Sequence, residues 1–147
     1  MTTETYSLSG KPWYRRPKID VAPEGFDLLL NQTVAQLRLA ATNAPCVFAS
    51  SLSAEDMVLF HLINRERLAI HTFALDTERL PSATLRVWAE AESRYGAVIT
   101  RVTPDDDELS KLAQAQSNSE IFESKAAREL CCAIRKTEPL RRTLAGK

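Results

Sequence analysis

Residues Cys46–Asp56 read CVFASSLSAED, a short apolar run that passes directly into small polar residues and then into acidic ones. Cys46–Ala49 has the length and composition of a buried strand, whereas Ala54–Asn64 carries apolar residues at helical spacing. The residues Ser50–Ser53 between them leave room only for a tight loop. The segment therefore predicts a strand, a loop and a helix, which is the basic unit of an α/β fold.

The alternation of strand and helix continues on both sides of this unit. Glu24–Thr42 before it and Pro81–Tyr95 after it place apolar side chains at helical spacing, and Gly96 stands where a helix should stop. Ala69–Leu75 and Ala97–Val102 are apolar and strand-like. Strands that alternate with helices predict an α/β fold in which helices flank both faces of a parallel sheet, with ligands at the carboxyl ends of the strands.

The remaining segments divide into an arm and a helical end. Residues 1–23 combine prolines, aromatic residues and basic residues without a sustained period, which predicts an N-terminal arm. Such an arm is either a solvated surface segment or a contact for nucleic acid or a substrate phosphate. Thr103–Asp105 opens a further helix with a capping signal, and Ala127–Ile134 and Glu138–Leu144 are helical. We therefore predict a single domain over residues 24–147.

Length, charge and apolar content restrict the class of protein. The chain has 147 residues, 44% of them hydrophobic, which suits one ordinary domain with its own core. Its 19 basic and 19 acidic residues cancel, so there is no bulk attraction to nucleic acid or to an anionic membrane. No apolar stretch approaches the roughly 20 residues of a membrane-spanning helix, and three cysteines without a leader segment do not suggest a secreted disulfide framework. We expect a cytoplasmic protein, with neither nucleic acid nor membrane as partner.

The loop Ser50–Ser53 and the start of the helix after it form the first candidate site. Free backbone N–H groups and the helix dipole at such a junction hold phosphate, and small residues let the backbone approach an anion. The alternative is structural, because Ser53 can cap the helix and Asp56 can complete a capping box. The loop lacks the Gly-Lys-Ser/Thr ending of a Walker loop, so that kind of phosphate site is excluded.

A second loop, Leu75–Pro81, follows the next strand and should lie beside the first loop at the same edge of the sheet. The Arg79 guanidinium could donate hydrogen bonds to a phosphate or sulfate oxygen. Asp76 could order the loop or accept a hydrogen bond from a ribose hydroxyl. The alternative is a surface ion pair between Asp76 and Arg79. Two adjacent loops predict a crevice between them.

Two adjacent cysteines, Cys131 and Cys132, form the third candidate site. Neighbouring residues on a helix point about 100° apart, so two thiols have no packing reason to be adjacent. Thiolates are the usual ligands of iron–sulfur clusters, and Arg135 and Lys136 follow about one turn later, where their charge could stabilise a cluster or an anionic substrate. A zinc site and a pair of partly buried small residues are the alternatives. We assign Cys46, in the apolar strand, to the core.

Three motifs together resemble the adenylyl-sulfate and phosphoadenylyl-sulfate reductases of assimilatory sulfate reduction. They are SSLSAEDMVL at Ser50–Leu59, LDTERLP at Leu75–Pro81 and CCAIRKTEPLRR at Cys131–Arg142. The resemblance covers roughly residues 25–146. It implies a fold of the adenine nucleotide alpha-hydrolase type, with Ser50–Asp56 as a modified pyrophosphate loop.

The cysteine pair indicates the substrate and the cofactor within this family. A pair of this kind accompanies a 4Fe-4S cluster in the enzymes that use adenosine 5′-phosphosulfate, whereas cluster-free members usually use the 3′-phosphorylated nucleotide. By this resemblance, Cys131 and Cys132 are cluster ligands, and Lys136 lies between cluster and sulfate. Ser51 and Ser53 contact the nucleotide. The predicted substrate-binding residues are then Ser51, Ser53, Asp76, Arg79 and Lys136.

The resemblance implies thioredoxin-dependent reduction of adenosine 5′-phosphosulfate to sulfite and AMP. In the family, a cysteine thiolate near the C-terminus attacks the sulfur of the phosphosulfate, AMP leaves, and thioredoxin reduces the enzyme thiosulfonate to free sulfite. No cysteine of this chain matches that nucleophile, and the second cysteine pair of the cluster is absent. We therefore expect that this chain is the N-terminal part of a longer enzyme, with its C-terminal part missing, and that it is inactive alone. Exposed sheet edges should make it marginally stable or homo-oligomeric.

Other functions remain open for the same motifs. A 3′-phosphoadenylyl-sulfate reductase, or an ATP pyrophosphatase-type sulfur transferase, would use the same loop. A non-catalytic nucleotide-binding module would bind the nucleotide without attacking it. One residue departs from the family pattern, because Glu78 stands where glycine is common. If that position needs a positive φ angle, glutamate costs roughly 1 kcal/mol or more.

Overall fold

The computed structural model describes residues 24–43, 45–115 and 124–147. The predicted arm, residues 1–23, lies outside the described residues. Within these ranges, no helix has both the length and the apolar character that crossing a bilayer requires. In chain order the elements are α1 (Phe26–Thr42), β1 (Val47–Ser50), α2 (Ala54–Arg65), β2 (His71–Leu75), α3 (Ser82–Tyr95), β3 (Thr100–Val102), α4 (Asp106–Ala115), α5 (Lys125–Cys132), a π-helical turn (Ala133–Thr137) and α6 (Glu138–Leu144).

The three described strands form a parallel sheet in the order β1-β2-β3. Ser50 pairs with Ala74, and Phe73 pairs with Thr100. Successive residues of a strand point to opposite faces, and Thr72, Phe73 and Ala74 of the central strand are all buried, so both faces of the sheet are covered. The predicted α/β architecture, a parallel sheet flanked by helices, is confirmed.

Helices α2 and α3 pack against the sheet and contribute to its main core. Tyr95 at the end of α3 meets Phe60 of α2 edge to face, with 5.4 Å between ring centroids. The helical pattern predicts Leu85 on the inner side of α3, but its side chain is 39% exposed. The pattern also places Trp88 on the inner side, and Trp88 is buried, whereas Leu85 lies at the margin of the core. The buried cluster consists of Leu52, Phe60, Ala74, Trp88, Ala91 and Ile99.

The helix ends follow the signals in the sequence. Gly96 ends α3 with φ of 61°, a left-handed conformation that a residue without a Cβ adopts at little cost. The Asp105 carboxylate caps α4 by accepting hydrogen bonds from the N–H groups of Asp107 and Glu108, at 3.0 and 3.1 Å. The capping signal around residues 103–105 thus comes from its last residue.

The last three elements run continuously, and the π-helical turn between α5 and α6 was not predicted. Pro139 lies just after the turn and is almost completely buried. Proline has no N–H for the carbonyl four residues earlier, and its ring crowds that carbonyl. The helix widens before the proline, where Glu138 donates its N–H to the carbonyl of Ala133, five residues earlier.

Candidate functional site

A cavity of about 360 Å³ opens at the carboxyl ends of β1 and β2. This is the place where ligands bind in parallel α/β sheets, and the volume lies in the usual range for small-molecule sites. The first loop, the second loop and the segment after the cysteine pair all contribute to its wall. The lining residues are Ala49, Ser50, Ser51, Leu52, Phe73, Ala74, Leu75, Thr77, Leu80, Lys136 and Leu140.

The first loop is a tight turn that is held by its own side chains. Leu52 has φ of 63°, which is uncommon for a residue with a Cβ, and its N–H donates to the Ser50 hydroxyl at 3.0 Å. The N–H and hydroxyl of Ser51 both donate to one carboxylate oxygen of Asp56, each at 2.6 Å. Backbone strain that the surrounding contacts maintain is typical of functional sites. Of the two serines predicted to contact a nucleotide, Ser51 lines the cavity.

The capping box, which was the structural alternative for the first loop, does not form at α2. Ser53 occupies the N-cap position but makes no side-chain capping bond, and Asp56 turns to Ser51 instead. The pKa of the neighbouring Glu55 carboxyl is lowered, because its own backbone N–H and then the Ser53 hydroxyl donate to it. The hydroxyls of Ser51 and Ser53 therefore point their protons at carboxylates, which fixes the direction of their lone pairs.

The second loop is held by Asp76, whose side chain is buried. One carboxylate oxygen accepts from the N–H of Glu78 at 2.9 Å, and the other accepts from Arg101 at 2.8 Å. The Arg101 guanidinium also lies 5.0 Å from the centre of the Trp88 ring. Asp76 therefore orders the loop. Its ion pair is with Arg101, whereas the alternative considered from the sequence was a surface ion pair with Arg79. Contact of Asp76 with a ribose hydroxyl stays a prediction.

Two other residues of this loop were singled out from the sequence, Glu78 and Arg79. Glu78 has φ of 57°, so the position that is commonly glycine in the family does adopt the left-handed conformation. Arg79 is exposed, and its N–H donates to the Thr77 hydroxyl at 3.3 Å. Arg79 borders the site without lining the cavity, so its contact with a ligand stays a prediction.

The segment after the cysteine pair reaches both the cavity and the second loop. Lys136, in the π-helical turn, lines the cavity. Arg135, beside it, donates from Nη1 to the carbonyl of Thr77 at 2.6 Å. The sequence placed both cations about one turn beyond the cysteines, but it gave no sign of the Thr77 contact. Pro139 is the residue that could have indicated the irregular turn, because the interior of a regular helix does not accommodate proline.

The cysteine pair itself is accessible. Cys131 is half-buried and Cys132 is exposed, and both thiols are free. Two accessible cysteine side chains at the end of a helix suit two ligand positions of an iron–sulfur cluster, which normally takes four. Among residues 24–43, 45–115 and 124–147, no group of three or more metal-binding side chains comes together. The pair fits half of such a ligand set, and the described residues do not supply the other half.

Comparison with known proteins gives the same assignment as the motifs. Residues 45–147 match the family model described as the phosphoadenosine phosphosulfate reductase domain. The adenosine 5′-phosphosulfate reductase of Allochromatium vinosum is 46% identical over 101 residues, which are 69% of this chain and 40% of that protein. The enzymes of that name from Burkholderia cepacia and Neisseria meningitidis are 36% and 40% identical, over 88% and 74% of this chain and 49% and 45% of their own lengths.

The chain thus spans less than half the length of these curated relatives. The matched region nevertheless contains all three motifs and every residue that lines the cavity. The resemblance inferred from the motifs is confirmed, and the chain belongs to the phosphoadenosine phosphosulfate reductase family.

Proposed function

We propose that this chain is the substrate-binding part of an adenylyl-sulfate reductase, which reduces adenosine 5′-phosphosulfate to sulfite and AMP. The observation that carries the proposal is that Ser51, Thr77 and Lys136, one from each of the three motifs, line the same cavity. The names of the relatives, which specify adenosine 5′-phosphosulfate, support this substrate over its 3′-phosphorylated form.

The cavity has the chemistry that such a nucleotide requires. Phe73, Leu80 and Leu140 give it an apolar wall that suits an adenine ring. The Lys136 ammonium group suits the negative charge of the phosphosulfate, and the Ser51 hydroxyl, which donates its proton to Asp56, can accept a hydrogen bond from a ribose hydroxyl. Ser53 and Arg79, on the loops that border the cavity, complete the proposed contacts.

The cofactor and the reductant belong to the same proposal. Cys131 and Cys132 would provide two ligands of a 4Fe-4S cluster, and a cluster bound there would fix the helix end that leads to Lys136. Thioredoxin is the proposed reductant, and the cytoplasm, where thiols stay reduced, is the proposed compartment. The apolar side chains left exposed on α1, such as Leu28 and Leu29, are compatible with a homo-oligomer.

Titration calorimetry on the purified chain tests the proposal. Adenosine 5′-phosphosulfate should bind, and Lys136→Gln should weaken it about tenfold, the effect of losing one hydrogen bond to a charged group. AMP, which lacks the sulfate, should lose less. Lys125→Gln is the matched control, because Lys125 lies in the same helical segment with its side chain 81% exposed and paired with Glu129. Equal losses in both variants would contradict a role for Lys136 in binding.

The same titration separates the competing functions. Tighter binding of the 3′-phosphorylated nucleotide would indicate a phosphoadenylyl-sulfate reductase. ATP binding with release of pyrophosphate would indicate a sulfur transferase. Nucleotide binding without sulfite formation, in a longer protein that includes a C-terminal cysteine and is supplied with thioredoxin, would indicate a non-catalytic module.

A further inference from the structure

Arg135 joins two parts of the site that are far apart in the sequence. Its Nη1 donates to the Thr77 carbonyl at 2.6 Å, across 58 positions of the chain. Thr77 is buried and lines the cavity. A charged donor that binds a buried carbonyl fixes the position of that peptide group, so the cavity wall at Thr77 depends on Arg135.

The guanidinium of Arg135 is only partly satisfied in this position. Its Nε is buried and has no hydrogen-bond partner among the residues that the structure describes. A buried donor without an acceptor costs free energy, and each such group requires an explanation. A group that orders a functional site at some cost to folding provides one.

The π-helical turn connects Arg135 to the cysteine pair. Cys132 is the residue immediately before the turn, and Arg135 is the central residue of its five. Single π-helical turns occur frequently at functional sites, and only two residues separate Cys132 from Arg135. A change in the position of the thiols therefore reaches Arg135 within one turn.

We propose that Arg135 is a positioning residue that couples the cysteine pair to the nucleotide pocket through the Thr77 carbonyl. The inference rests on the proposed function, since it requires that the cavity bind the nucleotide. A ligand that holds the wall at Thr77 also holds Arg135 and the turn. By linkage, a group held by the thiols must then change the affinity of the pocket for the nucleotide.

The reactivity of the thiols provides a test in the 147-residue chain. Alkylation by iodoacetamide is followed for each cysteine by peptide mass spectrometry, with and without saturating AMP. We expect AMP to slow alkylation of Cys131 and Cys132 about fivefold, near the lower limit of the usual coupling between two sites. Cys46 precedes β1, at the end of the strand away from the cavity, and serves as the internal reference.

Two variants of Arg135 and one control separate coupling from direct shielding. Arg135→Gln should abolish the protection of the thiols while AMP still binds at higher concentration. Arg135→Lys keeps the charge and should restore part of the protection. Arg142→Gln is the control, because Arg142 also donates to a backbone carbonyl, that of Thr103 at 2.9 Å, which does not line the cavity. It should behave as the wild type does.

The outcomes distinguish this inference from the proposed function. If AMP binds without slowing alkylation, or protects Arg135→Gln as fully as the wild type, the coupling role of Arg135 is overturned and the proposed function stands. If AMP does not bind the folded wild-type chain, both are overturned. If Arg135→Gln does not fold, Arg135→Lys decides the question. Lysine lacks the planar guanidinium, so AMP should protect the thiols of this variant less than those of the wild type. Equal protection would contradict the role of Arg135.

Discussion

Replacing Glu78 by glycine should increase the free energy of unfolding, although the substitution removes a whole side chain. Glu78 has φ of 57°, and a residue with a Cβ pays about 1–2 kcal/mol in this left-handed region. Glycine removes that strain but adds about 0.5–1 kcal/mol of backbone entropy to the unfolded chain. The difference between the middle values of these two ranges is an expected gain of about 0.75 kcal/mol.

Urea unfolding followed by circular dichroism measures this gain in the free energy of unfolding. The same gain should raise the midpoint of thermal unfolding by about 1–4 °C in a chain of this size. Glu78→Gln is the matched control, since it keeps the Cβ and the strained backbone but removes the charge. Its stability should stay within about 0.5 kcal/mol of the wild type. Both variants remove the Glu78 carboxylate, which adjoins Thr77 of the cavity wall in the sequence and repels the phosphate of AMP. Both should therefore bind AMP more tightly, and by a similar factor.

Two results would refute this reasoning. A glycine variant that is less stable than the wild type would show that the Glu78 side chain makes contacts worth more than the strain. Tighter AMP binding in the glycine variant alone would show that the loop conformation, and not the carboxylate, limits affinity.

Three further substitutions test the structure, at Asp76 and Pro139 near the cavity and at Glu66, which lies at the C-terminal end of α2. Asp76→Asn replaces one carboxylate oxygen by an NH₂ group, which must then face either the Glu78 N–H or Arg101, both of which are donors. The free energy of unfolding in urea should fall by about 2 kcal/mol. The pKa of Glu66 lies below its ordinary value of 4.5, chiefly through a hydrogen bond from Arg38, so the ion pair stabilises the fold above pH 4.5 and is lost as the pH falls through the folded pKa. Wild type and Glu66→Gln should therefore converge in urea stability on acidification. Pro139→Ala restores an N–H that favours a regular helix, and should weaken AMP binding in calorimetry by moving Lys136.

The parts of the site that the sequence predicts are those with a local cause. The apolar run before Ser50 and the periodic helix after it determine a strand, a loop and a helix. The parallel sheet then brings the loop after β2 beside the first loop. Gly96 and Asp105 mark helix ends by backbone preferences that act within a few residues. Each of these predictions needed only neighbouring residues or a general rule of parallel sheets.

The contacts that the sequence does not predict depend on register and on distant packing. Arg101 meets Asp76 because β3 pairs with β2 in one particular register, in which Arg101 lies opposite Ala74. Asp56 can satisfy either Ser53 or Ser51, and the left-handed turn of the loop decides for Ser51. A pattern of residue types leaves such choices open, since both partners are chemically equivalent.

The three motifs therefore differ in how they act on the cavity. The register that places Ser50 opposite Ala74 brings the first two loops together, and the sheet would keep them adjacent whatever side chains they carried. The third motif arrives from a separate helical segment, and its approach depends on the widened turn before Pro139 and on the bond from Arg135 to Thr77. Substitutions in the first two loops should change which ligand binds. Substitutions in the turn should change the coupling between the reactivity of the cysteine pair and nucleotide binding in the pocket, because the turn connects the two.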